Sequence, residues 1–338
     1  MTASPLSTPL AVTMGTPAGV GADLILKIWM HLRNTVPPFV LIDDPAHIAA
    51  RADMLNLSIP VAPVEQPAQA LELFDTALPV LEQKLPSAVV PGQSDPAHAE
   101  ATRLSIERAV GLALAGEVSG LVTLPLHKAS LYEAGFTHPG HTEFLAELCG
   151  LTYDPIMMLA IPGLRVVPAT IHVALSGVPA LITQDRILHA ARTTLSALAQ
   201  DFGLAEPRLA IAALNPHAGE DGALGREELD VIKPAADQLR SEGLSVIGPL
   251  PADTLFHEHA RRSYDAVLCM YHDQALIPLK SLNFMEGVNI TLGLPIVRTS
   301  PDHGTAFDLA GTGLADPSSL AAALREAGAI AAHRGRHG

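Results

Sequence analysis

Residues 9–32 read PLAVTMGTPAGVGADLILKIWMHL. A short apolar run, PLAV, meets a turn holding three glycines and a proline, and the turn feeds a long apolar-rich segment of helical composition. Strand, tight turn and helix in immediate succession form the opening of a βα unit. The same alternation continues along the chain. Strand-like runs are PFVLID (38–43), LVTLPL (121–126), PIMMLAI (155–161), RVVPATIHV (165–173), RLAIAAL (208–214), LSVIGPL (244–250), AVLCMYH (266–272), VNITLG (288–293) and PIVRTS (295–300). Amphipathic segments lie between them: 99–116, 141–150, 184–203, 226–243 and 318–335. Strands alternating with helices predict an α/β protein built on parallel sheet. Residues 59–91, rich in proline and weak in periodicity, read as irregular surface structure.

The turn invites a phosphate-cradle reading, yet its glycines, Gly15, Gly19 and Gly21, fit neither G-x-G-x-x-G nor the Gly-Lys-Ser/Thr ending of a P-loop. A plain strand-to-helix turn is the simpler expectation.

At 338 residues the chain is long enough for two lobes, and its composition, 48% hydrophobic and 17% charged, is that of a globular enzyme. A formal net charge of −14 argues against nucleic acid or an anionic membrane surface as partner, because both require a basic footprint. An anionic substrate then needs a local cluster of cations. Cys149 and Cys269 lie far apart among apolar neighbours, which predicts no disulfide framework. The N-terminal MTASPLSTPLAV lacks the basic region of a signal peptide, and the longest apolar stretch, residues 109–126, is broken by Glu117, glycines and Pro125. A cytoplasmic protein that does not span a membrane is expected.

Most of the fifteen histidines, His47 and His98 among them, sit in polar or helical surroundings and read as surface groups. Three share another context. His172, His217 and His272 each follow an apolar strand-like run, and the carboxyl ends of strands are where open α/β sheets place ligands. Three imidazoles with an open position suit a catalytic divalent ion. Separations of 45 and 55 residues match no local metal motif, so a strand-end hydrogen-bonding role stays open for each. Asp273, next to His272, is an orienting carboxylate, a proton acceptor or a helix N-cap. Lys280, Asn289 and Arg298 fall in otherwise apolar, strand-like segments, where long cations face an anion or reach for solvent.

Taken together, PGHTEFLAEL (139–148), TIHVAL (170–175), LNPHAGE (214–220), YHDQALIPLK (271–280), GVNITLGLPIVRTSPDHGTAFDLAG (287–311) and the N-terminal GTPAGVG closely resemble the PdxA family of vitamin B6 biosynthesis, over about Ala11 to Ala322. The resemblance implies the two-lobed fold of isocitrate and isopropylmalate dehydrogenases, with an interlobe cleft and not a Rossmann fold. It implies a first lobe of residues 1–126 plus 290–338, a second of 127–289, and a homodimer with active sites at the subunit interface. It implies one divalent metal ion per subunit, zinc, magnesium or cobalt, on His172, His217 and His272. Substrate contacts fall on His141, Thr142, Lys280, Asn289 and Arg298, with Asp273 and Lys280 as catalytic candidates. His303, Gly304, Thr305 and Ala306 resemble a loop that approaches the adenosine side of NAD or NADP. The GTPAGVG loop departs from the family's GDPAGIGPE at Thr16, where an acidic residue is usual, and at Ala22, where proline is.

The implied reaction is metal-assisted oxidation of 4-(phosphooxy)-L-threonine by NAD or NADP to 2-amino-3-oxo-4-(phosphooxy)butanoate, which decarboxylates to 3-amino-2-oxopropyl phosphate. Paralogues acting on 4-phospho-D-threonate, on D-erythronate or on a cis-dihydrodiol of terephthalate are the nearest alternatives. A three-histidine zinc hydrolase is the alternative from another class.

Overall fold

The computed structural model describes residues 6–133, 135 and 140–335. Twelve strands are present among them: β1 (Leu10–Thr13), β2 (Phe39–Asp43), β3 (Val61–Val64), β4 (Leu78–Glu82), β5 (Leu121–Val122), β6 (Ile156–Ile161), β7 (Leu164–Pro168), β8 (Arg208–Ala212), β9 (Ser245–Leu250), β10 (Ala266–Cys269), β11 (Val288–Leu292) and β12 (Arg298–Pro301). The chain divides into two compact units. One holds the chain up to Pro155 and again from Leu294; the other is Ile156–Gly293.

In the first unit the strands run β3-β4-β2-β1-β5-β12, every neighbouring pair parallel. That order differs from the 3-2-1-4-5-6 order of dinucleotide-binding doubly wound sheets. β1 and β2 are buried along their whole length, as strands covered on both faces by helices must be. The helix Gly21–Leu32 buries residues on nearly every side, and its Trp29 Nε1 donates to Phe74 O at 2.9 Å. The second unit runs β11-β6-β7-β10-β8-β9. Here β6 pairs antiparallel with β7 and β11, while β7, β10, β8 and β9 are mutually parallel. No helix of the described residues is long and apolar enough to cross a membrane.

Several expectations need correction. Residues 59–91 carry β3 and β4 plus a short helix, Gln69–Leu73. Pro63 and Pro79 interrupt the β-propensity of these strands, yet parallel pairing tolerates them, and Leu78, Val80 and Leu81 are buried. The units part at 155/156 and 293/294 rather than at 126/127 and 289/290. Phe144 and Leu145 explain the first shift, because they pack with Ile106, Ala109 and Val110 in the core of the first unit. Lys280 lies in a helix, His272–Leu282, not in a strand. Residues 226–243 form a wide turn at Glu228–Ile232 and then the helix Lys233–Ser241. His98 is buried against Ser87 Oγ at 2.9 Å, and His47 Nδ1 donates to Asp43 Oδ1 at 3.0 Å, so neither is a surface group.

The opening turn is held from several sides. Gly15 adopts φ +66°, and a Cβ there would lie 2.6 Å from Leu124 Cβ, so position and conformation both demand glycine. From the helix Ala99–Leu114, Thr102 Oγ1 donates to Gly15 O at 3.0 Å and Ser105 Oγ accepts from Met14 N at 2.9 Å. Arg51, 2% exposed, donates to Pro17 O, Gly19 O and the fully buried Asp23 carboxylate. Asp23 Oδ2 in turn accepts from Gly311 N at 2.8 Å.

Removing one partner of a buried pair strands the other charge. Arg51→Met is expected to lower unfolding stability by about 3 kcal/mol or more in urea titrations. Asp23→Leu combined with Arg51→Met should recover part of that loss; additive losses would show that the pair itself is not what holds the turn.

Candidate active site

Two constellations of polar side chains emerge, one in each unit. In the first unit a cavity of about 170 Å³ is lined by Arg103, Lys128, His141, Arg298, Ser300 and His303 among others. Arg298 begins β12 and is 6% exposed; its Nη2 donates to Thr123 Oγ1 at 2.7 Å and contacts His141 Nδ1 at 3.3 Å. Burial pulls its pKa down to about 10, which leaves it cationic at neutral pH but short of solvation that an anion restores. His141 opens the helix His141–Leu148 after the cap Gly140, with Thr142 next, so the positive end of that helix adds to the cavity's field. Burial, then the charges of Arg298 and Lys128, hold the His141 imidazole well below its ordinary pKa. Arg103 is already engaged with Glu100 and Glu107.

The loop carrying His303, Gly304, Thr305 and Ala306 is in the same unit. Thr305 O accepts from Val20 N at 3.0 Å, which fastens it to the opening turn. His303 Nδ1 donates to Gly304 O at 3.0 Å, and Ala306 sits at φ +40° before a short turn of helix. Thr16 uses its hydroxyl as an acceptor for His127 N at 2.7 Å. An aspartate could accept the same bond, so the threonine keeps the geometry and omits the charge. PGHTE begins at Pro139, which lies outside the described residues; Gly140 to Glu143 are described.

In the second unit β7, β10 and β8 are adjacent and parallel, and their carboxyl ends lead to His172, His272 and His217. The rings of His172 and His272 are 5.9 Å apart. His272 Nδ1 donates to Asp273 Oδ1 at 2.7 Å, which leaves Nε2 as the ring nitrogen available to a metal. The helix cap is Tyr271, so Asp273 orients the histidine and does not cap. Among the described residues no three such side chains close on a common metal position.

His217 occupies an unusual backbone. Residues 217–221 all have left-handed φ, from +45° to +79°. Four of the five are not glycine, so the conformation is costly and must be imposed. Glu228 imposes it. This carboxylate, 3% exposed, accepts from Leu214 N at 2.8 Å and Asn215 N at 2.7 Å through Oε1, and from Asn215 Nδ2 at 3.0 Å through Oε2. Lys280 Nζ lies 5.5 Å from the centre of the Phe284 ring, and Asn289 Oδ1 on β11 is buried without a partner. Lys128, Thr123 and Glu228 are the site residues that sequence reasoning passed over. Lys128 follows a strand-like run as closely as the histidines do, and that position was its one signal.

Residues 35–327 match the family described as pyridoxal phosphate biosynthetic protein PdxA. The chain is 56% identical over 334 residues to the 4-hydroxythreonine-4-phosphate dehydrogenase of Caulobacter vibrioides, covering 97% of this chain and 99% of that protein. It is 54% identical to the Methylorubrum extorquens protein of the same name over 333 residues, 96% and 95% of the two chains. The solved 4-hydroxythreonine-4-phosphate dehydrogenase of Klebsiella pneumoniae superposes with a TM-score of 0.87 at 37% identity, over 96% of this chain and 100% of that one. A terephthalate 1,2-cis-dihydrodiol dehydrogenase from Burkholderia xenovorans superposes less well, with a TM-score of 0.66 at 31% identity over 95% and 98%.

Glu228→Ala leaves two backbone donors, Leu214 N and Asn215 N, without their acceptor, while Asn215 Nδ2 keeps Glu227 Oε2 at 2.7 Å, and each unsatisfied donor costs about 1–3 kcal/mol. A clear drop in urea stability is expected, with new limited-proteolysis cuts within residues 214–225. Unchanged protection of that segment would show that the turn holds itself.

Proposed function

The chain belongs to the PdxA family, and from that premise we propose that it oxidises the C3 hydroxyl of 4-(phosphooxy)-L-threonine with NAD or NADP. The product, 2-amino-3-oxo-4-(phosphooxy)butanoate, is a β-keto acid that loses CO2 to give 3-amino-2-oxopropyl phosphate for pyridoxal phosphate synthesis. The observation that carries the reading is the cavity around Arg298. In a chain of net charge −14, Arg298 and Lys128, together with Arg103 paired to Glu100 and Glu107, share its wall with the start of a helix. Such a wall suits a phosphorylated or carboxylated substrate.

Within the first unit, Arg298, His141 and Thr142 bind an anionic group of the substrate. His303, Gly304, Thr305 and Ala306 flank the nicotinamide nucleotide; a Cβ at Gly304 would meet nothing within 4 Å, so the backbone there is open to approach. Within the second unit, His172, His217 and His272 hold one divalent ion, zinc, magnesium or cobalt. The donor chemistry suits such an ion, since three imidazoles follow adjoining parallel strand ends and Asp273 engages His272 Nδ1, but among the described residues the three rings do not converge on one position, so binding would have to draw them together. When bound, the ion supplies Lewis acidity that eases deprotonation of an alcohol. Lys280 adds a cation, and the unpartnered Asn289 Oδ1 suits a hydroxyl or ammonium of the substrate. Asp273 and Lys280 are the candidate acceptors of the hydroxyl proton. A bound nicotinamide would supply the hydride acceptor that this oxidation needs, while the chain's own residues take the hydroxyl proton and hold the anionic ends of the substrate.

The assembly we propose is a homodimer working in the cytoplasm. Ile277, Leu282, Phe284 and Met285 cluster at the end of the helix His272–Leu282 with 63%, 48%, 69% and 47% of their surface exposed, a patch that a second copy covers. Phe284→Asp is expected to shift the sedimentation coefficient from dimer to monomer; an unmoved dimer would place the contact elsewhere.

The deciding measurement follows NADH absorbance with 4-(phosphooxy)-L-threonine and with 4-phospho-D-threonate, with and without chelator. Chelator-sensitive reduction is expected with the first. Turnover of the second alone would move the chain to the paralogous reading. Arg298→Ala should raise the KM for the phosphorylated substrate about tenfold or more, the scale of one charge-assisted hydrogen bond lost. An unaltered KM would remove Arg298 from the anion site.

A further inference from the structure

The His141 ring has its proton placed by its neighbour. Arg298 Nη2 lies 3.3 Å from His141 Nδ1 and 2.7 Å from Thr123 Oγ1. A guanidinium nitrogen offers only hydrogens, so both bonds run from Arg298, and Nδ1 must meet it with a lone pair. The single proton of the neutral ring therefore resides on Nε2. An imidazolium carries hydrogen on both nitrogens and would set N–H against N–H. His141 Nε2 is sealed from solvent and has no partner, in the wall of a cavity that also holds Lys128, Arg103, Ser300 and His303. A buried donor without an acceptor is a cost that a bound acceptor removes.

From this geometry we infer that His141 is a neutral Nε2–H donor to an anionic oxygen of the ligand, and that Thr123 is the positioning residue that holds it so through Arg298. Thr123 follows β5, is 1% exposed and lines the same cavity, and its hydroxyl oxygen is engaged by Arg298 Nη2. Its hydroxyl takes one Nη2 hydrogen, which aims the other at His141. Without that hydroxyl Nη2 loses the bond that directs its second hydrogen at His141, and the imidazole gains the option of carrying its proton on Nδ1, where it offers the ligand a lone pair instead of a hydrogen. The low proton affinity that burial, Arg298 and Lys128 impose on His141 agrees with a ring that stays neutral. The identity of the ligand rests on the proposed function; the tautomer does not.

The test uses the full chain labelled with 15N-histidine, free of substrate and cofactor, with the His141 signals identified by their loss in His141→Gln. A single tautomer protonated at Nε2 is expected at neutral pH. Inorganic phosphate or acetate, added separately, should shift that Nε2–H, and the anion that does so at lower concentration tells a phosphate seat from a carboxylate seat. Thr123→Val should mix the two tautomers and weaken anion binding about tenfold, and Thr123→Ser should restore both. A proton on Nδ1 or a charged ring in the unmodified chain overturns the inference without recourse to any variant. So does a folded Thr123→Val protein with tautomer and anion affinity unchanged, or an Nε2–H that neither anion moves. Absence of turnover with 4-(phosphooxy)-L-threonine alongside the expected spectra would sink the proposed function and leave this one standing.

Discussion

The first unit depends on one buried charge pair. Arg51 reaches from the helix Pro45–Met54 into the opening turn, where it satisfies two carbonyls, Pro17 O and Gly19 O, and the Asp23 carboxylate. A turn so rich in glycine and proline has few side chains of its own to bury, so its carbonyls must be satisfied from outside. Asp23 passes the constraint to Gly311, and Val20 N passes it to Thr305, so residues almost three hundred positions apart become one fixed surface. The anion cavity shares that surface through Leu124, Pro125 and His303. A buried ion pair is weak evidence for net stability, but here it specifies which of many loop conformations is adopted.

A second carboxylate plays the corresponding part in the other unit. Glu228 collects three donors around Leu214 and Asn215 and so starts a left-handed turn that no local propensity favours. Both devices spend a buried acid on irregular backbone. Regular strands and helices satisfy their own polar groups, whereas irregular backbone at a strand end must borrow partners, and the borrowed partner sets where a functional side chain points.

Much of the fold was legible because strand periodicity and helical amphipathicity are local properties. Ten strand-like runs became strands, and the alternation identified α/β architecture. β3 and β4 are hard to read because Pro63 and Pro79 suppress local β-propensity, while the pairing that rescues them, with each other and with β2, is tertiary. The segment around Lys280 resembles a strand for a related reason: its helix is short, contains Pro278 and carries apolar residues on more than one side. The position of His172, His217 and His272 after strands was readable, but that β7, β10 and β8 are neighbours is a matter of topology. Glu228 and Arg51 were invisible as organisers, since nothing in a sequence distinguishes a buried acid or base from the solvated ones around it.

The burial of Trp29 carries a practical corollary. It is the single tryptophan of the chain, and its indole is hydrogen-bonded to Phe74 O and lies 4.8 Å from the Arg33 guanidinium, entirely within the first unit. Selectively excited tryptophan fluorescence therefore reports on the first unit, whereas tyrosine emission draws on both, because Tyr264 and Tyr271 lie in the second. Far-ultraviolet dichroism averages over both. Wherever the two signals part company along a denaturation curve, the difference is the spectrum of a state in which one unit is lost and the other kept.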